Sequence, residues 1–578
     1  MVVLAIAIGA GAGLGAIAFR WLINGATTLF TGQLDYAAAP GQPHPWLPGL
    51  GKWFVVLAPI LAGLVYGPLV HRFAREARGH GVPEVMYAVA DRGGRIPTQV
   101  SLVKALASAL CIGSGGSVGR EGPIVQIGAA LGSALGRFTR LTEHRLRILV
   151  ACGAAGGIAA TFNAPLAGPF FAMELILRDF AIESFGAVVL SSVTASIVGR
   201  AVTGNEAFLS LPSFHLHNPA EFGLFALLGV LVSLGGVLFS KVLYLVEDLC
   251  DRVWRGPEWL RPAAGGLPLG LLLLALPQLY GVGYPVLDHA VAGDYAIGFL
   301  LLLMLGKMLA TSLTIGIGGS GGVFAPSLFI GAMGGSAFGE LAHQVLPGVS
   351  PGAYGLVGMG AAFAGATRAP ITGVIVLFEL TGEYSIILPL MFAIVVATLV
   401  SRAVSRDTIY TAKLSRRGVD LDARQRRGRL PDHPVGTVME PLPQTLPSSA
   451  RLDDAAGPLA RHGYGILPVV DGDGAYQGCV TAQAVAEELE AGPSAGAGTT
   501  PDDSTATVGE LVELPATVTT ATSSLEALEQ LVNARGTGLP VLTEDGERLV
   551  GWISHQALLS SMRDHGAPRG AVPATMAG

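Results

Sequence analysis

The sequence predicts an α-helical polytopic membrane protein built from an inverted internal repeat of broken helices, followed by a pair of small α+β domains. Three observations carry that expectation. Of 578 residues, 51% are hydrophobic and only 13% charged, with a mean hydropathy of +0.54. Soluble chains carry about 25% charged residues, so most of this chain is matched to lipid. A long segment recurs about two hundred positions further on, and the apolar character stops near Arg406.

The apolar part comes first. Stretches at 1–23, 53–70, 222–245, 296–316 and 386–400 are candidate membrane segments. The opening stretch lacks the basic region of a secretory leader and reads as a first membrane helix. A spanning helix needs roughly 20 apolar residues, yet GSGGSVGREGP (113–123) and GIGGSGGVFAP (316–326) interrupt the pattern midway. Breaks at membrane depth are tolerated where the freed backbone groups line a cavity or are buried in protein.

The two breaks are copies of one another. Sliding residues 104–136 onto 307–339 leaves 18 of 33 positions identical. GHGVP (79–83) pairs with GVGYP (281–285), and APLAGPFFAMEL (164–175) with APITGVIVLFEL (369–380), at nearly the same offset. The halves, about 1–203 and 204–405, differ in flanking charge. Arg72, Arg75, Arg78, Arg137, Arg140, Arg145 and Arg147 flank the first copy, whereas 273–280 and 340–350 contain no Lys or Arg. Cytoplasmic loops carry the basic excess, so the halves face opposite ways. In such repeats, interrupted helices at matching positions point to a substrate site near the midplane. Gly-rich breaks followed by new helices expose backbone N–H groups and the positive end of the helix dipole, which suits an anion.

These residues resemble the CLC family of chloride channels and proton/chloride exchangers. The resemblance covers about residues 1–414 and rests on GREGP (119–123), GGVFAP (321–326), GHGVP (79–83) and IYTAKL (409–414). It implies that the amides of Val323 and Phe324 and the hydroxyl of Tyr410 hold a central anion. It also implies that Arg120 and Gly122 contribute amides just outside, and that Glu121 is the gate. An ionised carboxylate in an apolar segment costs about 2.5–3.5 kcal/mol on insertion scales and defaults to function, which supports the same assignment; capping a helix is the plainer alternative. For Tyr410 the alternative is an interfacial anchor.

Two positions depart from the family pattern. His80 stands where many members have an inner-mouth serine, and reads either as an N–H donor to the anion or as a satisfied core histidine. Leu175 stands where exchangers usually carry a second glutamate that accepts an internal proton. Its neighbour Glu174, with Glu379 at the equivalent place in the other half, reads as a structural carboxylate or part of a proton path. Adjacent helical residues diverge by about 100°, so Glu174 should face away from the usual proton entrance. The expected function is therefore chloride-selective, channel-like transport gated by Glu121. A proton-coupled exchanger is the alternative. An intramembrane enzyme is a distant one, lacking an HExxH or a Ser/His pairing.

Beyond 405 the chain changes character. Residues 406–433 form a basic segment expected in the cytoplasm, since nine basic residues stand between Arg402 and Arg429 against three acidic ones. GILPVVDGDGAYQGCVT (465–481) and GLPVLTEDGERLVGWIS (538–554) are two further repeats, each with two β-rich runs around an acidic Gly turn and a helix after them. They resemble a cystathionine-β-synthase (CBS) domain pair, assigned to 434–490 and 506–562, with a flexible linker at 491–505 and a disordered tail at 563–578. Nucleotide-binding members place an aspartate where Ala484 and Ala557 stand here, so a packing role is expected over adenine-nucleotide sensing.

The remaining composition is exclusionary. A net charge of −6 without a dense basic groove argues against nucleic acid as a partner. GIGGSG (316–321) fits a dinucleotide-loop spacing but lacks the strand–turn–helix context. Four isolated cysteines imply neither a disulfide framework nor a zinc knuckle. No cofactor is expected besides bound chloride. The resemblance implies a homodimer in the lipid bilayer of the plasma or inner membrane, with one pathway per subunit.

Overall fold

The computed structural model describes residues 1–204, 221–346, 348–419, 421, 433–461, 465–491, 506–534, 538–546 and 548–564. The chain divides into two compact units, Met1–Leu421 and Asp422–Gly578. Most of the segment expected at 491–505, the tail from 565 and the basic stretch 422–432 lie outside the described residues.

The described part of the first unit is helical. Its first half comprises α1 (Val2–Thr31), α2 (Phe54–Phe73), α3 (Val82–Asp91), α4 (Gln99–Gly113), α5 (Glu121–Phe138), α6 (Glu143–Phe162), α7 (Ala167–Phe171) and α8 (Ile182–Thr203). The second half repeats that order: α9 (Glu221–Val253), α10 (Arg261–Ala275), α11 (Tyr284–Ala292), α12 (Ile297–Gly316), α13 (Phe324–Val345), α14 (Pro351–Thr367), α15 (Pro370–Thr381) and α16 (Ile387–Val404). A short α17 (Thr411–Ser415) follows. Among the described residues seven helices are long and apolar enough to cross a membrane, while α4, α10 and α15 are shorter apolar helices.

Duplicated terminators produce the duplicated breaks. α4 and α12 each end one residue before the same kind of turn, in which Gly115 (φ 111°) and Gly318 (φ 97°) occupy equivalent positions. Only glycine enters that backbone region without strain. The extended chain that follows leads directly into α5 and α13. Asn163 and Arg368, both left-handed, end α6 and α14 in the same matched way.

Equivalent helices of the two halves also pack on one another, α2 against α10 and α7 against α15. At the centre the breaks pair directly: the Gly119 N–H donates to the Gly322 carbonyl at 2.8 Å and the Gly322 N–H to the Gly119 carbonyl at 2.6 Å, an antiparallel bridge. Around it the Thr311 hydroxyl donates to the Ser117 carbonyl at 2.7 Å, and Ser108 and Ser320 share a 2.8 Å hydroxyl contact. Residues 406–419 pack into this unit, with Ile409, Tyr410 and Leu414 buried.

The second unit contains two copies of one motif. β2 (Ile466–Val470) and β3 (Tyr476–Thr481) pair antiparallel across the acidic turn, as do β5 (Gly538–Leu542) and β6 (Leu549–Ser554). Helices Ala482–Ala491 and His555–Asp564 follow them. Each sheet gains a two-residue parallel strand, β1 (Leu446–Pro447) and β4 (Val518–Thr519). A small apolar cluster of Ile466, Cys479 and Trp552 joins the copies. Burial pushes the Cys479 thiol up to about 11, so it stays protonated and inert.

A candidate anion site at paired helix N-termini

The site forms where α3, α5 and α13 begin. Each helix starts just after a Gly-rich turn, so unpaired N-terminal amides and three dipole ends gather in one region. Glu121 is the first residue of α5 and is 1% exposed. Its Oε1 accepts the Ala325 N–H of α13 at 3.0 Å, and the Phe324 amide also faces this carboxylate. Oε2 has no hydrogen-bond partner among the described residues. The carboxylate of one half therefore rests on the helix N-terminus of the other.

Glycine makes that seat. A Cβ on Gly119 would fall inside the carboxylate, and its three closest neighbours all belong to Glu121. A Cβ on Gly322 would meet the same oxygen, and one on Gly122 would collide with the His80 carbonyl. Gly122 thus lets α5 approach the loop that carries His80.

His80, Val323, Phe324 and Tyr410 are all 1% exposed or less. Phe324 packs its ring against Phe363 at 4.6 Å and Phe162 at 5.4 Å. The Tyr410 ring lies 6.3 Å from the His80 ring, and Tyr244 lies 6.4 Å from it on another side. Neither the Tyr410 hydroxyl nor either ring nitrogen of His80 has a hydrogen-bond partner among the described residues. Buried polar atoms are nearly always paired, so a hydroxyl and an imidazole left this way mark a place for a polar guest. Arg120 is oriented differently: its guanidinium contacts the Thr161 carbonyl at 3.3 Å and lies over the rings of Tyr284 (5.3 Å) and Phe162 (6.0 Å).

Glu174 and Glu379 are engaged elsewhere, each by the opposite half. Glu174 accepts the Ile371 N–H at 3.2 Å, the Thr372 N–H at 2.8 Å and the Thr372 hydroxyl at 2.7 Å, at the start of α15. Glu379 accepts the Leu166 and Ala167 N–H groups at 2.8 and 2.6 Å, at the start of α7. Each repeat caps the other. The stretch Ala172–Leu177 winds as a π-helix, so the angle between Glu174 and Leu175 is smaller than the α-helical value expected from sequence; the wider i→i+5 turn is the reason. Replacing Glu174 with alanine should destabilise the protein by about 3 kcal/mol, since hydrogen bonds to charged groups contribute about 1.5–3 kcal/mol each and are not additive. Glu379→Ala should behave alike. Thermal unfolding of the two variants in detergent checks this, and wild-type melting in both would contradict it.

Two residues were missed by sequence reasoning although the repeat alignment superposes them. Lys104 is fully buried and donates to the carbonyls of Ala77 (2.9 Å) and Gly79 (2.7 Å). Lys307, its counterpart, donates to those of Gly281 (2.9 Å) and Val282 (3.0 Å). Each ammonium fixes the loop leading into a half-helix, α3 or α11. An intramembrane lysine at matching columns of a repeat was the available signal.

The sequence matches the family described as voltage gated chloride channel over residues 62–402, and the CBS domain over 435–491 and 508–564. It is 38% identical over 370 residues to the H(+)/Cl(−) exchange transporter ClcA of Vibrio parahaemolyticus, covering 63% of this chain and 79% of that one. To the putative chloride channel protein ClcB-like of Ralstonia nicotianae it is 33% identical over 422 residues, covering 72% and 97%. Among solved structures, that of a slow cyanobacterial Cl−/H+ antiporter matches with a TM-score of 0.65 at 28% identity, covering 72% of this chain and 97% of that one.

Proposed function

The chain belongs to the voltage gated chloride channel family, and on that premise we propose that it moves chloride passively across the membrane through a pathway closed by the Glu121 carboxylate. The observation that carries the reading is the seat of that carboxylate on the α13 amides. A carboxylate and a chloride ion are both anions seeking the same donors. While Glu121 is ionised it occupies them; once protonated it loses its advantage and the amides of Val323 and Phe324, with the Tyr410 hydroxyl, receive the ion. His80 supplies an N–H at the inner side, and Arg120 and Gly122 supply backbone amides further out. Partial charges hold the ion firmly enough to strip water and loosely enough to release it.

Two features support movement without fixed proton stoichiometry in this reading. Leu175 is buried in the apolar core, and Glu174 spends its oxygens on the start of α15. In this reading neither group serves as the internal proton acceptor. The exchanger reading draws on the relatives that bear that name, and one measurement separates the two. In proteoliposomes with a chloride gradient and the voltage clamped, chloride should move without net proton transport. Protons driven uphill at a fixed ratio to chloride would overturn this reading in favour of exchange.

The multi-pass unit lies in the bilayer. In this reading it works as a homodimer with one pathway per subunit, and the CBS pair lies in the cytoplasm. Ala484 and Ala557 are each the third residue of a helix, and their amides already donate to the hydroxyls of Thr481 and Ser554, which supports a packing role for the pair over nucleotide binding.

A further inference from the structure

Outside the Glu121 gate lies a half-open cavity of about 500 Å³, at the end of α5 away from Arg137. Arg20 and Arg120 both line it, along with the polar side chains of Asn24, Thr27 and Thr161. Arg20 is the single charged residue in the 30 residues of α1. A charge inside an apolar membrane helix is costly and is retained for a task. No carboxylate pairs with it among the described residues; the charge that acts on it is a like one, Arg120.

Arg120 cannot relieve that repulsion by turning away, since its guanidinium is held by the Thr161 carbonyl and stacked over Tyr284 and Phe162. Of the acidic residues lining the cavity, Asp35 is committed to the Ala37 amide at 3.0 Å, while Asp288 of α11 accepts no hydrogen bond from the described residues. Two cations facing one polar cavity repel each other. A single anion between them turns that repulsion into two attractions.

We propose that Arg20 and Arg120 form an outer holding site for a small monovalent anion in this cavity, one step ahead of the gate. The inference rests on the reading that the anion pathway passes Glu121, and it adds a capture step to that pathway. An ion held here raises the local concentration at the gate, and its charge acts on the Glu121 carboxylate behind it. Field focusing of this kind raises capture without tight binding.

The test uses the full-length protein in planar bilayers, with chloride varied on one face at a time and ionic strength adjusted with an impermeant gluconate salt. In Arg20→Gln the half-saturating chloride concentration should rise about 3–10-fold when chloride is varied on the cavity face. The value from the other face serves as the internal reference. Arg20→Lys should restore capture, and Asp288→Asn should shift the half-saturation downward, because it removes a competing negative charge. Equal half-saturation in wild type and Arg20→Gln, or an equal rise from both faces, would overturn the proposal, as would failure of Arg20→Lys to restore it. Failure of the gating reading itself is distinguishable: it shows as a wild-type pH response in Glu121→Ala, which does not depend on Arg20.

Discussion

Glu121→Ala should conduct anions at neutral pH at a higher rate than the wild type and lose most of the pH dependence of that conduction. In the wild type the carboxylate sits on the Ala325 and Phe324 amides, so in the gating reading the flux tracks the protonated fraction. Above the titration point of a carboxyl group that fraction changes about tenfold per pH unit. The sign is fixed by charge: falling pH neutralises the plug and raises flux. Alanine leaves no plug, and the amides stay open at every pH. Chloride efflux from proteoliposomes between acid and neutral pH checks this. A folded, conducting Glu121→Ala protein that keeps the wild-type pH profile would remove Glu121 from the gating role.

Gly119→Ala should reproduce that phenotype from outside the titrating group. Its Cβ would enter the space held by the Glu121 carboxylate, and the carboxylate is the movable end of a side chain. The methyl should evict the gate while leaving the backbone bridge to Gly322 in place. Combining Gly119→Ala with Glu121→Ala should add nothing further, because both changes remove the same interaction. Wild-type pH dependence in a folded Gly119→Ala variant would mean that the observed seat is not the closed position.

Much of this site is visible in one dimension because the chain wrote it twice. The breaks at 113–123 and 316–326 are legible from glycine alone, and the structure ends α4 and α12 at Gly113 and Gly316 and begins α5 and α13 at Glu121 and Phe324. A helix with several successive glycines loses both propensity and side-chain packing, which is a local effect and needs no partner. The roles of Glu174 and Glu379 are different. Their donors lie 197 or more residues away, so composition marks them as costly without saying what relieves the cost.

Lys104 and Lys307 show a second limit. Both stand at one column of the repeat inside apolar helices, which marks them as costly, yet the sequence does not say which carbonyls each one meets. In the second unit, β2, β3, β5 and β6 follow from their β-rich runs, whereas β1 and β4 are two residues long and exist only because a neighbouring strand offers an edge. Local signals predict elements, and tertiary pairing decides the shortest ones.

The reciprocal capping of α7 and α15 sets an order of events during synthesis. Glu174 is made 197 residues before Ile371, an interval of about 10–40 s at ordinary translation rates of 5–20 residues per second. Throughout it the first half has a carboxyl group with no helix end to receive it, and in apolar surroundings the stable form of such a group is the neutral acid. Glu379 never waits, because Leu166 and Ala167 are already in place when it emerges. Two contacts that mirror each other in space are therefore unlike in time: the first half is inserted carrying an unmet demand, and only the arrival of the second half brings Glu174 the donors that lock it.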